Sequence, residues 1–232
     1  MKKILLRISI VSITVLLGIG LLFGGYYAEQ EVISTQNGKS EKYIQKMWVE
    51  KDYLKNVQKD KITIVNFKKG MVYVLNPKEK TYFEMTLTQM KQMLNMMVQM
   101  MKQMNPNLDM KVYVEVTKER KNIGNYDCVK VITKIPALKQ VTEMWYTDQI
   151  KVDQEYLLKQ FKMMMPDEIF NDYATKLQEL SKYGFPVYSK TTTEMMGKKS
   201  VVENRLVKFE KRTIPESEFV IPAGYKKTSM RF

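Results

Sequence analysis

The spacing of apolar residues changes period several times along this chain, and the order of those changes limits the folds open to it. Residues 43–49, 62–67, 71–75 and 82–85 carry alternating or doubly apolar runs, with turn chemistry at Lys69-Gly70 and Asn76-Pro77 between them. Over 87–104 the period becomes helical, and Asn105-Pro106 stops it. Strand patterns resume at 110–117, 128–135 and 140–147. Helical patterns follow at 153–165 and, restarted by Pro166, at 167–182. The last third returns to strands at 187–195 and 200–212, joined by a tight hairpin turn at Gly197, and ends in an extended tail punctuated by Pro215 and Pro222.

No strand–helix–strand alternation of the parallel kind is present, so the expected class is α+β. The expected architecture is a strongly curved antiparallel sheet. Helices near 87–104, 153–165 and 167–182 cover its concave side. The strand Ile62-Thr63-Ile64-Val65-Asn66-Phe67 has apolar groups on both faces, as a covered, curved sheet requires.

The N-terminus sets the compartment. Lys2, Lys3 and Arg7 precede an uncharged run over 8–28, and the first acid is Glu29, which is the order of an export signal or a membrane anchor. Ending a signal at Ala28 places Tyr26 at the third position before the cut, and ending it at Gly25 places Phe23 there. Both are poor cleavage points, so an uncleaved anchor over 8–28 stands beside the cleaved signal. The division expected is an N-terminal apolar helix at 1–28, a linker at 29–40 and a β-rich domain at 41–232. The basic flank keeps that domain outside the cytoplasm.

Composition narrows the chemistry. The chain has no His, which excludes Ser/His and Cys/His nucleophile pairs and His-containing metal sites. Cys128 is alone, so no intramolecular disulfide forms, and its apolar context reads as a structural thiol. Gly-x-Ser-x-Gly, Gly-x-Gly-x-x-Gly and the phosphate-binding loop are absent. Asp153 and Asp167 sit where helices begin, so capping or dipole complementation accounts for them. No catalytic residue, metal ligand or cofactor is expected. Three of the 38 basic residues and one of the 25 acids lie in 1–30, leaving 35 against 24, a net of +11. Such a surface suits anionic lipid headgroups, with evenly spread solubilising charge as the alternative. An exported protein is not expected to meet nucleic acid.

The candidate ligand residues are apolar. Met93, Met97, Met100 and Met104 fall on one broad face of the 87–104 helix, together with Met90 and Met101. Thioethers there read as helix cover, as the soft lining of a lipid-type cavity, or as a Cu(I) site. Trp48 and Trp145 stand in matching Met-Trp contexts on separate strands, either gripping an apolar ligand from the concave face or packing the core. Phe161 on the second helical stretch completes the set of cavity candidates.

Several segments carry a resemblance: Lys46-Met47-Trp48-Val49-Glu50; Met71 to Pro77 running into Lys80-Thr81-Tyr82; Gly124-Asn125-Tyr126-Asp127-Cys128; Met144-Trp145-Tyr146-Thr147-Asp148; and Phe219-Val220-Ile221-Pro222-Ala223-Gly224-Tyr225. Over roughly 41–226 their order and spacing resemble an exported bacterial domain of unknown function, family 4412, related to the lipoprotein carrier LolA and its partner LolB. The resemblance implies a half-open β-barrel closed by helices, with an apolar cavity for acyl chains. The function expected is a non-enzymatic envelope protein whose partners are a lipid or other apolar ligand and the membrane surface. The alternatives are a structural or interaction protein with a filled core, and a Met-based Cu(I) binder.

Overall fold

The computed structural model describes residues 25–229 apart from 152, 196 and 197. Six strands open the domain: β1 (Tyr26–Gln36), β2 (Lys39–Glu50), β3 (Tyr53–Gln58), β4 (Lys61–Asn66), β5 (Met71–Asn76) and β6 (Thr81–Thr86). Helix α1 (Leu87–Met104) leads to β7 (Tyr113–Ile123), β8 (Tyr126–Ile135) and β9 (Gln140–Thr147). Helices α2 (Gln154–Met164) and α3 (Asp167–Leu180) precede β10 (Phe185–Met195), β11 (Lys198–Lys211) and the short β12 (Lys226–Lys227). All twelve described strands form one open sheet in the order β12-β6-β5-β4-β3-β2-β1-β11-β10-β9-β8-β7. Every neighbouring pair is antiparallel except β12 with β6.

The sheet is built from short hairpins, each set by its turn residues. Asn37 and Gly38 both have positive φ (50° and 77°), the backbone that a two-residue hairpin between β1 and β2 requires. The Asn76 side chain accepts from the Lys78 and Glu79 N–H groups to form the β5–β6 turn. The β10–β11 ladder runs as far as Met195 opposite Lys198, and the expected turn at Gly197 lies outside the described residues.

Residues 29–40 are not a linker, as the sequence suggested. They belong to β1 and the start of β2, and β1 is central, paired with β11 from Tyr26↔Lys211 to Gln36↔Ser200 and with β2 from Tyr26↔Val49 to Gln36↔Lys39. Along β1 the side chains of Tyr26, Ala28, Gln30 and Val32 are buried on one face. The alternation escaped notice because one inward residue is a Gln and because the preceding apolar run blurs the start of the period. Ala28 therefore lies inside the sheet and does not mark a boundary.

The pleat separates two apolar clusters. On the inner face Met47, Val49, Leu54, Val65, Val72, Val131 and Met144 pack with Phe161, Ile169, Tyr173 and Leu177 of α2 and α3 and with Leu87 and Val98 of α1. On the outer face Tyr27, Ile64 and Leu75 meet Ile214 and Phe219, with Trp48, Tyr53, Tyr73 and Tyr225 around them. The C-terminal tail is thus the second cover, which explains why β4 is apolar on both sides. It crosses the outer face and ends beside β6, where the Lys226 and Thr228 N–H groups donate to the Lys80 and Tyr82 carbonyls.

The helices are tied by specific polar contacts. Thr86 and Gln89 form a capping box at the start of α1, each side chain accepting from the other's backbone N–H at 3.0 and 2.8 Å. Asn95 exchanges two hydrogen bonds with Asp167 at the start of α3, and Lys91 pairs with the same carboxylate at 2.5 Å. Beside β7, the Asp172 carboxylate accepts the Val112 N–H at 2.6 Å. Among the described residues no helix is long and apolar enough to cross a membrane, and the expected N-terminal apolar helix lies outside them.

Candidate ligand-binding face

Helix α1 leaves the sheet at β6 and delivers the chain to β7, so it bridges from one side of the sheet to the strand at the opposite edge. Leu87 and Val98 are its buried residues, with Met90 packed partly against the same cluster. At about 100° per residue these positions form one stripe, and Lys91, Asn95 and Lys102 form a second that reaches α2 and α3. Met93, Met96, Met97, Met100 and Met104 make a third, about a quarter turn from the core stripe on the side away from the other helices. Met93 and Met97 are half-buried, whereas Met100 is 60% and Met104 79% exposed. The broad methionine face therefore splits: Met90 packs against the core, and the stripe at 93–104 lies beside it. Methionine hydropathy cannot register that division, because the same residue serves both stripes.

The tryptophans pack in apolar clusters, one of the two roles open to them in the sequence. In each Met-Trp pair the pleat alternates the two side chains: Met47 and Met144 are fully buried in the helix-side cluster, Trp48 joins the outer cluster, and Trp145, though on the next position of the strand, is buried in the same apolar cluster as Met144. Trp48 packs on Tyr27 at 5.0 Å between ring centroids in the outer cluster, with the Lys55 ammonium 4.8 Å above it. Trp145 lies under the Lys121 ammonium at 4.0 Å, opposite Lys130 and Tyr188. A lysine ammonium lies over each indole. Of the cavity candidates, Phe161 stands at the sheet–helix interface, 5% exposed.

What lines the inner face beyond the apolar cluster is uncharged and polar. Gln30, Gln45, Thr133, Gln140, Thr142, Ser189, Thr191 and Thr193 are all buried. They bond to one another across strands: Gln58 Nε2 donates to Gln45 Oε1 at 3.0 Å, the Thr142 and Thr191 hydroxyls lie 3.1 Å apart, and Asn204 Nδ2 donates to Ser189 Oγ at 3.1 Å. Among the described residues no Asp, Glu, Lys or Arg is buried. Sequence reasoning missed this belt. The alternations Gln140-x-Thr142-x-Met144-x-Tyr146 and Ser189-x-Thr191-x-Thr193 were visible, but polar residues at period two look the same whether they face water or an interior.

Four buried polar atoms lack a hydrogen-bond partner among the described residues: Asn56 Oδ1, Gln160 Nε2, the Tyr173 hydroxyl and Ser200 Oγ. Each costs about 1–3 kcal/mol if left dry. An acceptor, a donor and two hydroxyls are thus presented in buried surroundings. Burial holds the Tyr146 and Tyr173 phenols protonated, their ionisation pushed far up, and the Tyr146 hydroxyl donates to the Met144 sulfur at 3.6 Å. Cys128 is fully buried, and burial raises its thiol ionisation. No cluster of three or more His, Cys, Asp or Glu side chains able to hold a metal occurs among the described residues. The arrangement can solvate an apolar body and a neutral hydrogen-bonding group. It offers no fixed charge.

A family model described as a domain of unknown function, DUF4412, matches residues 30–225. The chain belongs to the DUF4412 family. The match begins inside β1, in agreement with that strand's place in the sheet. Among solved structures, an uncharacterized conserved protein from Thermus thermophilus is similar to this DUF4412 chain over 94% of its length and 98% of the other's, at 6% identity and a TM-score of 0.50, a likeness of fold alone. A putative outer membrane lipoprotein-sorting protein domain from Vibrio parahaemolyticus matches 84% of the chain and 89% of its own at 9% identity and a TM-score of 0.33. PNGF-II matches 88% of the chain at 14% identity and a TM-score of 0.39, and the DUF4412 chain spans 31% of its length. No curated protein matches the chain.

Proposed function

We propose that this DUF4412 protein is a non-enzymatic binding protein of the bacterial cell envelope that holds an apolar or lipid-like ligand between the inner face of its sheet and its helices. One observation carries the reading: among the described residues the buried layer contains no charged side chain, yet it presents unpartnered polar atoms at Asn56, Gln160, Tyr173 and Ser200. A chain with a neutral polar group satisfies both halves of that surface. In this reading the sheet curls into a half-barrel and α1, buried at Leu87 and Val98, is part of its cover. Each methylene transferred contributes about 0.8 kcal/mol, so about ten of them supply the ~8 kcal/mol of a micromolar complex. Catalysis has no support in the residues: the sequence has no His, and the lone thiol is buried. The basic flank and apolar run at the N-terminus support an extracytoplasmic location.

The near-complete burial of the inner side chains favours a second reading, an envelope interaction protein whose core is filled. Uptake of a fluorescent fatty acid or phospholipid by delipidated protein separates the two. The binding reading expects saturable uptake that weakens in Gln160→Leu and Tyr173→Phe, which remove unpartnered atoms at nearly constant volume. The filled-core reading expects no uptake, and greater stability in both variants because a dry polar atom has gone. Absence of saturable uptake by the unaltered protein sinks the proposal.

A further inference from the structure

The point where the chain enters the sheet has a consequence for how the domain sits on a membrane. Gly25 is already part of the fold: its carbonyl accepts the Arg212 N–H at 2.9 Å, and a side chain there would overlap the Glu50 carboxylate and the Arg212 carbonyl. Tyr26 follows as the first residue of β1 and is fully buried. The uncharged run from Ile8 therefore reaches the sheet at Gly25, a length of 18 residues. A helix of that length measures about 27 Å, against a hydrocarbon core of about 30 Å. A span built from this run leaves no spacer between bilayer and sheet.

The antiparallel ladders bring other segments to the same end as the start of β1: the turns after β2 and β4, the end of β11, and the connections from β9 to α2 and from α3 to β10. These carry Lys51, Lys68, Lys69, Lys151, Lys182 and Lys211, all exposed and none in an ion pair among the described residues. The acids in those same segments are fewer: Glu50, which accepts the Ile214 N–H, Asp52, Asp148, Asp153, and Glu210, which is paired with Lys208 and Arg212. We propose that this end of the sheet is a docking surface for the anionic headgroups of the bilayer that holds the N-terminal segment. The proposal rests on the envelope location above and goes further, because it fixes which end of the domain faces the lipid. The opposite end of β1 lies about 35 Å away, several Debye lengths at physiological ionic strength.

Amine footprinting of the unaltered full chain, reconstituted in vesicles, tests this. A water-soluble amine-reactive ester is read out by mass spectrometry at each lysine, in phosphatidylcholine vesicles with and without phosphatidylglycerol. With phosphatidylglycerol the reaction slows about fivefold or more at Lys51, Lys68, Lys69 and Lys182, recovers at high salt, and stays unchanged at the distal Lys39, Lys80 and Lys199. Vesicle-bound protein whose two ends react alike, or whose distal lysines are the protected ones, overturns the docking surface alone. A chain that does not stay with vesicles overturns the envelope location, and the docking surface with it.

Discussion

Replacing Tyr26 by Ala tests whether the end of the apolar run is leader or core. The ring is fully buried and packs on Phe209 at 5.6 Å and on Phe185 at 6.4 Å, joining β1 to β11 and β10. Truncation removes about 150 Å² of buried surface, worth about 4 kcal/mol at 25 cal/mol/Å². The cavity term and the ring pairs add to this, and relaxation subtracts from it. The expected loss is therefore about 3–5 kcal/mol, the range for large aromatics in cores. With a urea slope of about 2 kcal/mol/M, the unfolding midpoint falls by roughly 2 M. The assay is equilibrium urea unfolding followed by Trp fluorescence, with Gln36→Ala as the control in the same strand. Gln36 is exposed, so that control moves by less than about 0.5 kcal/mol. If Tyr26→Ala costs no more than the control, β1 does not begin in the core and the chain does not enter the sheet at Gly25.

Two further predictions concern the helical layer. Gly184 joins α3 to β10 with φ of 83°, and a Cβ there would overlap the Thr147 carbonyl and lie 2.7 Å from that of Ile150, so Gly184→Ala lowers stability by at least about 2 kcal/mol. In thermal unfolding that appears as a fall of about 5 °C or more, and an unchanged midpoint contradicts it. Burial works to raise the Asp172 carboxyl, but the Lys176 ammonium at 2.8 Å and the Val112 N–H outweigh it and hold the group below the usual carboxylate range. Its contribution is therefore complete above the unfolded pKa of about 3.9 and is lost as pH falls through the lower folded value. Asp172→Asn costs about 1–3 kcal/mol at neutral pH and flattens the acid limb of stability measured between pH 5 and 2, and an unaltered acid limb refutes the assignment.

Much of the architecture was legible from periodicity. Each strand and helix read between 43 and 212 has a counterpart, because period two and period 3.6 reflect burial on one side of a strand or helix. The misses share a cause. β1 was hidden where its apolar start merges with the preceding run. β3 carries Lys55, Asn56 and Gln58 among its apolar positions, and the two-residue β12 exists only through its pairing with β6. The faces of Trp48 and Trp145 were not legible, because hydropathy ranks Met and Trp together, whereas the pleat puts adjacent residues on opposite sides.

The linear sequence by itself determined the class, the antiparallel habit, the helical cover and the absence of histidine chemistry, since all of these follow from residue types and their local spacing. Only the tertiary structure decided which face each element buries, that Gln30, Gln45, Thr142 and Thr191 line an interior, and that the C-terminal tail roofs the outer face. Those outcomes depend on strand neighbours far apart in the chain, such as β1 with β11, and on a register in which a slip of one residue exchanges inside for outside.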